Sequence, residues 1–221
     1  MADKEILIFV EGPSDKVFLE VYLYFLEDIP IKNFKVKDVT GKDNLSKRLL
    51  EIEQYDKTLI IFDADKDYES NKKEILSKTQ QKITEEQIFL FPNNQDDGDL
   101  ETLLLEIAKH DEFLKCFEGY LECIKSKEHY KPIKNISKSK WYAYLEVFEL
   151  QNFFKDKRNK NDKKNEEKII IDDKGKIRKE YKEEYEKLKE VIDFNSNSLI
   201  PLKNFLGQFA ENKQKTKLKI F

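Results

Sequence analysis

A chain of 221 residues is long enough to bury a real core, as one domain or as a domain with an extension. Charged residues make up 38% and hydrophobic ones 39%, which suits a soluble globular protein with a heavily charged surface. The 41 Lys and Arg nearly cancel the 44 Asp and Glu, so bulk charge selects no polyanion. Contact with nucleic acid would need local basic patches or a bound metal.

The first element in the chain is the near-continuous apolar run "EILIFVEG". It reads as a strand buried on both faces and ends at Glu11-Gly12. "PSDKVFLEVYLYFLED" follows as a helix, with Pro13 suited to its first turn and apolar residues at 17, 18, 21, 22, 25 and 26. "NFKVKDV" alternates like an edge strand, "NLSKRLLEIEQY" predicts a short amphipathic helix, and "KTLIIFDAD" is a second buried strand. Lys72 to Ile83 predicts a helix, "QIFLFP" a fourth strand and "DLETLLLEIAKH" another helix. Such alternation predicts a Rossmann-like parallel sheet of about four strands flanked by helices. The expected division is an α/β core over residues 1–110 and a mainly helical extension over 111–221.

In that extension, helices are expected near 111–126, 138–154 and 176–192, and "SLIPLKNFLGQF" predicts a last one. "IIIDDKG" reads as a short strand entering a turn. Residues 155–168 hold seven basic and four acidic residues and almost nothing apolar, so a mobile charged loop is expected. Its Lys157, Arg158, Lys160, Lys163 and Lys164 are candidates for a phosphate backbone, although such a run is usually only solvated. The aromatics of "SKWYAYLEVF" suit base stacking or, more simply, a core-facing stripe. Cys116 and Cys123 lie about two helical turns apart and read as two small core residues in a reducing cytoplasm. No Cys or His pair has a zinc spacing, and the apolar stretch Ile6–Val10 is too short for a signal peptide or membrane span, so a cytoplasmic protein is expected.

Ligands of such sheets bind outside the carboxyl ends of the strands. Glu11 ends the first strand, Asp63 and Asp65 end the third, and Asn93–Asp99 follow the fourth, so the acids are expected on one rim. Asp63 and Asp65 would project from one strand face, about 7 Å apart. Paired strand-end aspartates match what Mg2+ requires, which is one or two carboxylates with water and substrate phosphate completing the shell. Asp15 suits the helix dipole or a metal equally. Asp97 and Asp99 could cap the next helix, with metal contact also open to Asp99, and Asp67 reads as a turn residue. "NNQDDGD" is not an EF-hand loop, because aligning Gly98 with its glycine puts Leu104 where the Glu belongs.

"IFVEGPSDKVFLEVYL" followed by "LIIFDADKD" resembles the Toprim family, whose domains carry a strand-end Glu-Gly and a later Asp-x-Asp on a parallel sheet. The OLD nuclease branch is the most similar. Its Glu-x-x-x-Asp matches Glu11 and Asp15, its Asp-x-Asp matches Asp63 and Asp65, and its Gly-x-x-Glu matches Gly98 and Glu101. Its downstream lysine falls on Lys138 or Lys140 of "SKSKWYAYL". "FPNNQDDGDLETLL" is also similar to a bacterial family of small stand-alone Toprim proteins of uncharacterised function.

The resemblance implies one or two Mg2+ or Mn2+ ions held by Glu11, Asp63 and Asp65 and by Asp15 and Glu101, with Asp99 a further ligand. It also implies Glu11 as ligand or general acid/base, and Lys138 or Lys140 offsetting phosphate charge. The expected activity is a metal-dependent nuclease or related phosphoryl-transfer enzyme on nucleic acid, DNA rather than RNA. The chain contains no Gly-x-x-x-x-Gly-Lys-Ser/Thr loop, so an ATPase would be a separate subunit. A phage-defence role would follow by analogy, no membrane partner is expected, and a homodimer stays open. Two other readings remain: a non-catalytic metal- or nucleic-acid-binding assembly module, and a HAD-like phosphatase with Asp63 as nucleophile.

Overall fold

The structure, a computed structural model, describes residues 6–27, 29, 34–155, 168–172 and 174–210. Its sheet has four parallel strands, β1 (Ile6–Val10), β2 (Phe34–Asp38), β3 (Lys57–Asp63) and β4 (Ile88–Phe91), in the order β2-β1-β3-β4. Among the described residues the helices are α1 (Pro13–Phe25), α2 (Leu49–Ile52), α3 (Tyr68–Lys78), α4 (Leu100–Glu106), α5 (Asp111–Lys125), α6 (Ile136–Val147), α7 (Gln151–Phe154), α8 (Lys182–Val191) and α9 (Ile200–Phe209). The expected α/β fold, a parallel sheet flanked by helices with a helical C-terminal part, is the one observed.

Side-chain alternation divides the core into two layers. Ile8 and Val10 of β1, Leu59 and Ile61 of β3, and Phe89 and Phe91 of β4 share one cluster with α1, α4 and α6–α9. Leu7, Phe9, Ile60, Phe62, Ile88 and Leu90 face the other side, against Leu45, Ile52 and Ile75. All five residues of β1 are buried, as a central strand covered on both faces requires. The C-terminal helices enclose Trp141, which is 1% exposed, stacks on Tyr144 and meets Phe154 edge-on.

The elements depart from the sequence expectations at positions of unusual backbone. The segment expected as an amphipathic helix is a 3-10 stretch, Lys42–Arg48, with only one α turn after it. It starts directly after Gly41, whose φ is +98°, and buries only Leu45 and Ile52. α3 begins four residues before the apolar periodicity, because Asp67 caps it by accepting from the Ser70 N–H. It stops before Gln80 and Gln81, both at positive φ. The expected 138–154 helix breaks into α6 and α7 at Glu149, φ +59°. Instead of the strand expected in "IIIDDKG", an isolated antiparallel bridge pairs Ile171 with Ile177 among the described residues.

The cysteine expectation fails. Cys116 and Cys123 are both exposed, and no residue of α5 is buried. Their shared face holds, but α5 rests against the body only through half-buried residues such as Phe113 and Leu114. The "SKWYAYLEVF" aromatics do face the core, through Trp141 and Tyr144.

Because the C-terminal helices share one apolar cluster with β1 and α1, the chain should unfold in one transition. Trp141→Ala should lower stability by about 3–5 kcal/mol and keep a single urea transition by both far-UV circular dichroism and tyrosine fluorescence.

Candidate functional site

Strand order creates a crevice before any side chain is considered. The chain leaves β1 through α1 on one face of the sheet, and leaves β3 through α3 on the other. Since β1 and β3 are neighbours, their carboxyl ends flank the point where the winding reverses. Glu11 follows β1 and Asp63 closes β3. Val10 pairs with Ile61, which sets the two acids side by side. Asp63 contributes its backbone amide to the charged Glu11 carboxylate.

On the α1/α4 side, the Asp63 carboxylate accepts from the Leu100 N–H at 2.9 Å. The Asp15 carboxylate accepts from the Gly12 N–H at 2.7 Å, closing the first turn of α1. Glu101 is 8% exposed and meets the Lys138 ammonium at 4.0 Å. These carboxylates resist ionisation. Desolvation, and then the Glu101 and Glu11 charges, push Asp15 up to about 7 against the Gly12 hydrogen bond. Desolvation and the Asp15 charge raise Asp63 well above the usual range. Glu101 is raised by desolvation, with Lys138 opposing, and Glu11 by desolvation, with Lys42 opposing.

On the α2/α3 side stand Asp65, Lys42 and Asn71. Asp63 and Asp65 do not project from one strand face. β3 ends at Asp63, and Asp65 is left-handed with φ +54°, which breaks the alternation. Asp65 and Gly98 exchange both backbone hydrogen bonds at 2.7 Å, fixing this turn. Gly98 has φ +146°, and a Cβ there would come 3.0 Å from Pro92 Cδ. The Asp65 side chain therefore pairs with Lys42, whose ammonium also stands 3.9 Å from Glu11 Oε2. Asn71 accepts from Lys42 at 2.6 Å and donates to the Ala64 carbonyl at 2.5 Å. Glu11 thus joins two groups: Asp63, Asp15 and Glu101 on one side, Asp65 and Lys42 on the other.

Lys42 and Asn71 are site residues that sequence reasoning missed. Lys42 was readable in one respect, since it follows the carboxyl end of β2 and so belongs to the same rim. Lys138 joins the cluster through Glu101. Lys140 instead pairs with Glu118 of α5 at 2.8 Å. Asp99 caps α4, accepting from the Thr102 N–H and hydroxyl. Asp97 accepts from the Tyr68 N–H, so the helix it serves is α3 and not the one that follows it. Lys157, Arg158, Lys160, Lys163 and Lys164 lie outside the described residues.

Carboxylate oxygens are the donors that Mg2+ and Mn2+ prefer. One of them, Glu11 Oε2, is buried without a hydrogen-bond partner among the described residues. Unpaired buried acceptors are uncommon and call for an explanation. In donor type, charge and spare acceptor, the rim fits a divalent cation. Among the described residues, no three acids already surround one point as ligands do. Lys42 lies between Glu11 and Asp65, and backbone amides hold Asp15 and Asp63, so gathering the acids round one ion requires side-chain rotation.

The fold and the rim define a three-layer α/β protein with a carboxylate-lined crevice at its sheet switch point. The chain belongs to a family described as a protein of unknown function (DUF3226), which it matches over residues 5–211. No curated protein and no solved structure matches it. No helix among the described residues is long and apolar enough to cross a membrane.

A carboxyl raised on folding favours the folded state while protonated and opposes it once ionised. For Asp15 the loss runs from its ordinary value of 3.8 up to about 7. The metal-free protein should therefore melt at progressively lower temperature as pH rises through this window. Asp15→Asn should flatten the dependence in calorimetric scans.

Proposed function

We propose that this protein is a Mg2+- or Mn2+-dependent phosphoryl-transfer enzyme of the Toprim kind, a nuclease acting on nucleic acid phosphodiesters. The observation that carries the reading is an excess of acidic over basic side chains at the crevice. Glu11, Asp15, Asp63, Asp65 and Glu101 converge there, against the ammonium groups of Lys42 and Lys138. Burial raises the carboxyls of Glu11, Asp15, Asp63 and Glu101, and such perturbed acids gathered at one edge are characteristic of sites built for chemistry or metal. The order of these acids along the chain also matches the motif order of the resembled family.

Glu11, Asp63 and Asp65 would hold one ion, and Asp15 and Glu101 would share a second. Bound there, such ions would polarise the phosphoryl group and make water a better nucleophile. The chain's own groups perform the rest. Free of metal, the Asp15 carboxyl keeps its proton up to about 7, and binding an ion there would release it. Lys138, its side chain 59% exposed, can swing from Glu101 to a substrate phosphate. Lys42 offsets charge on Glu11 and Asp65 between turnovers, and Asn71 aims it. A cytoplasmic setting and a separate ATPase subunit belong to the same proposal. An assembly module without catalysis would share the cation site but not the turnover. The phosphatase reading has less support, because the Asp63 carboxylate is engaged by Leu100 N–H and two complete strands precede its own.

The test incubates the protein with supercoiled plasmid, single-stranded DNA and RNA, with Mg2+ or Mn2+. Cleavage should fall at least about a hundredfold in Asp63→Asn/Asp65→Asn, as when charge stabilisation of a transition state is lost. Cleavage that persists in this variant, or no cleavage despite cation binding, would overturn the nuclease reading.

A further inference from the structure

Along the edge strand β4 lies a second concavity that the proposed chemistry does not use. It is a cleft of about 430 Å3 between the loop after β4 and α9. That volume lies within the range of about 300–1,000 Å3 found for small-molecule sites. Ile88, Pro201 and Phe205 give it an apolar floor, and the side chains of Gln95, Asn204 and Gln208 stand around it. None of these three side-chain amides has a hydrogen-bond partner among the described residues. All three residues are exposed.

The wall that carries Gln95 is pre-built. Asn93 accepts from the Gln95 and Asp96 N–H groups, and Asn94, at φ +65°, accepts from the Leu90 N–H. Charge in the cleft is either paired or negative. Lys72 meets Glu85 at 3.3 Å, and Glu86 adds a carboxylate. A phosphate is therefore repelled, while a neutral planar ring that offers donors and acceptors is welcome. Side-chain amides present one donor and one acceptor together, the pattern that reads a base edge bidentately.

The cleft and the rim are built on shared elements. Asn71 and Lys72 are consecutive on α3, the first aiming Lys42 at the rim and the second lining the cleft. The loop through Gln95 runs on to Gly98, which is bridged to Asp65. We infer that this cleft is a nucleobase pocket, taking an unstacked base of the strand whose phosphate lies at the rim. The inference rests on the phosphodiester reading and narrows it to substrates with an unpaired base next to the reacting phosphate.

The experiment titrates the 15N-labelled protein, free of metal, with the four unphosphorylated ribonucleosides and follows the side-chain amide resonances. At least one nucleoside should shift the signals of Gln95, Asn204 and Gln208. Gln95→Ala/Asn204→Ala/Gln208→Ala should keep the fold, its sites being exposed, and weaken binding by about tenfold or more, the loss of one bidentate pair. Asp63→Asn/Asp65→Asn should leave nucleoside binding intact, so a failed rim is seen separately from a failed pocket. The inference is overturned if no nucleoside moves these amides, if the triple variant binds as well as the wild type, or if N-acetylalanine methylamide binds better than every nucleoside.

Discussion

The constraint on which this structure turns is the desolvation of carboxylates where β1 and β3 leave the sheet. Asp15 and Asp63 are buried and Glu11 partly so, each near others of its sign, and both effects work against ionisation. Burying unpaired charge is unfavourable by several kcal/mol per ion, so such a cluster persists only with compensation. The chain supplies part of it in backbone N–H donors from Gly12 and Leu100, and part in Lys42 and Lys138. Glu11 Oε2 has no hydrogen bond among the described residues, and the Lys42 ammonium 3.9 Å away is what offsets its charge.

The surrounding fold reads as a frame for that cluster. Winding to opposite faces after β1 and β3 opens the crevice, and the parallel register sets Glu11 beside Asp63. The Asp65–Gly98 bridge ties the turn after β3 to the loop after β4, which leads into α4 and Glu101. The C-terminal helices belong to the same frame, because α6 packs on the core through Trp141 while presenting Lys138 to Glu101. Tyr142 of α6 also meets Ser14 of α1 at 2.9 Å, linking the helix of Lys138 to the helix of Asp15.

Much of this was legible in the sequence for one reason: buried parallel strands are long apolar runs, and their ends are marked by the first polar residue. β1, β3 and β4 and the meeting of Glu11 with Asp63 follow from that rule, while β2 showed as an alternating edge strand and Glu101 was indicated only by the resemblance. What stayed hidden depends on backbone that no periodicity encodes. Asp65 reads as in phase with Asp63, yet its left-handed φ turns it to the opposite side, toward Lys42. Lys42 and Asn71 carry no motif, and only contacts between residues 29 positions apart reveal them. Cys116 and Cys123 misled because amphipathic spacing predicts a shared face but cannot say whether anything covers it.

The most direct measurement is anomalous diffraction from crystals soaked in Mn2+. The account predicts a peak in the crevice, about 2.1 Å from Glu11 Oε2 and from an Asp63 carboxylate oxygen, with Lys42 displaced from between Glu11 and Asp65. A soaked crystal with no peak there, and with Lys42 still bridging Glu11 and Asp65, would contradict it.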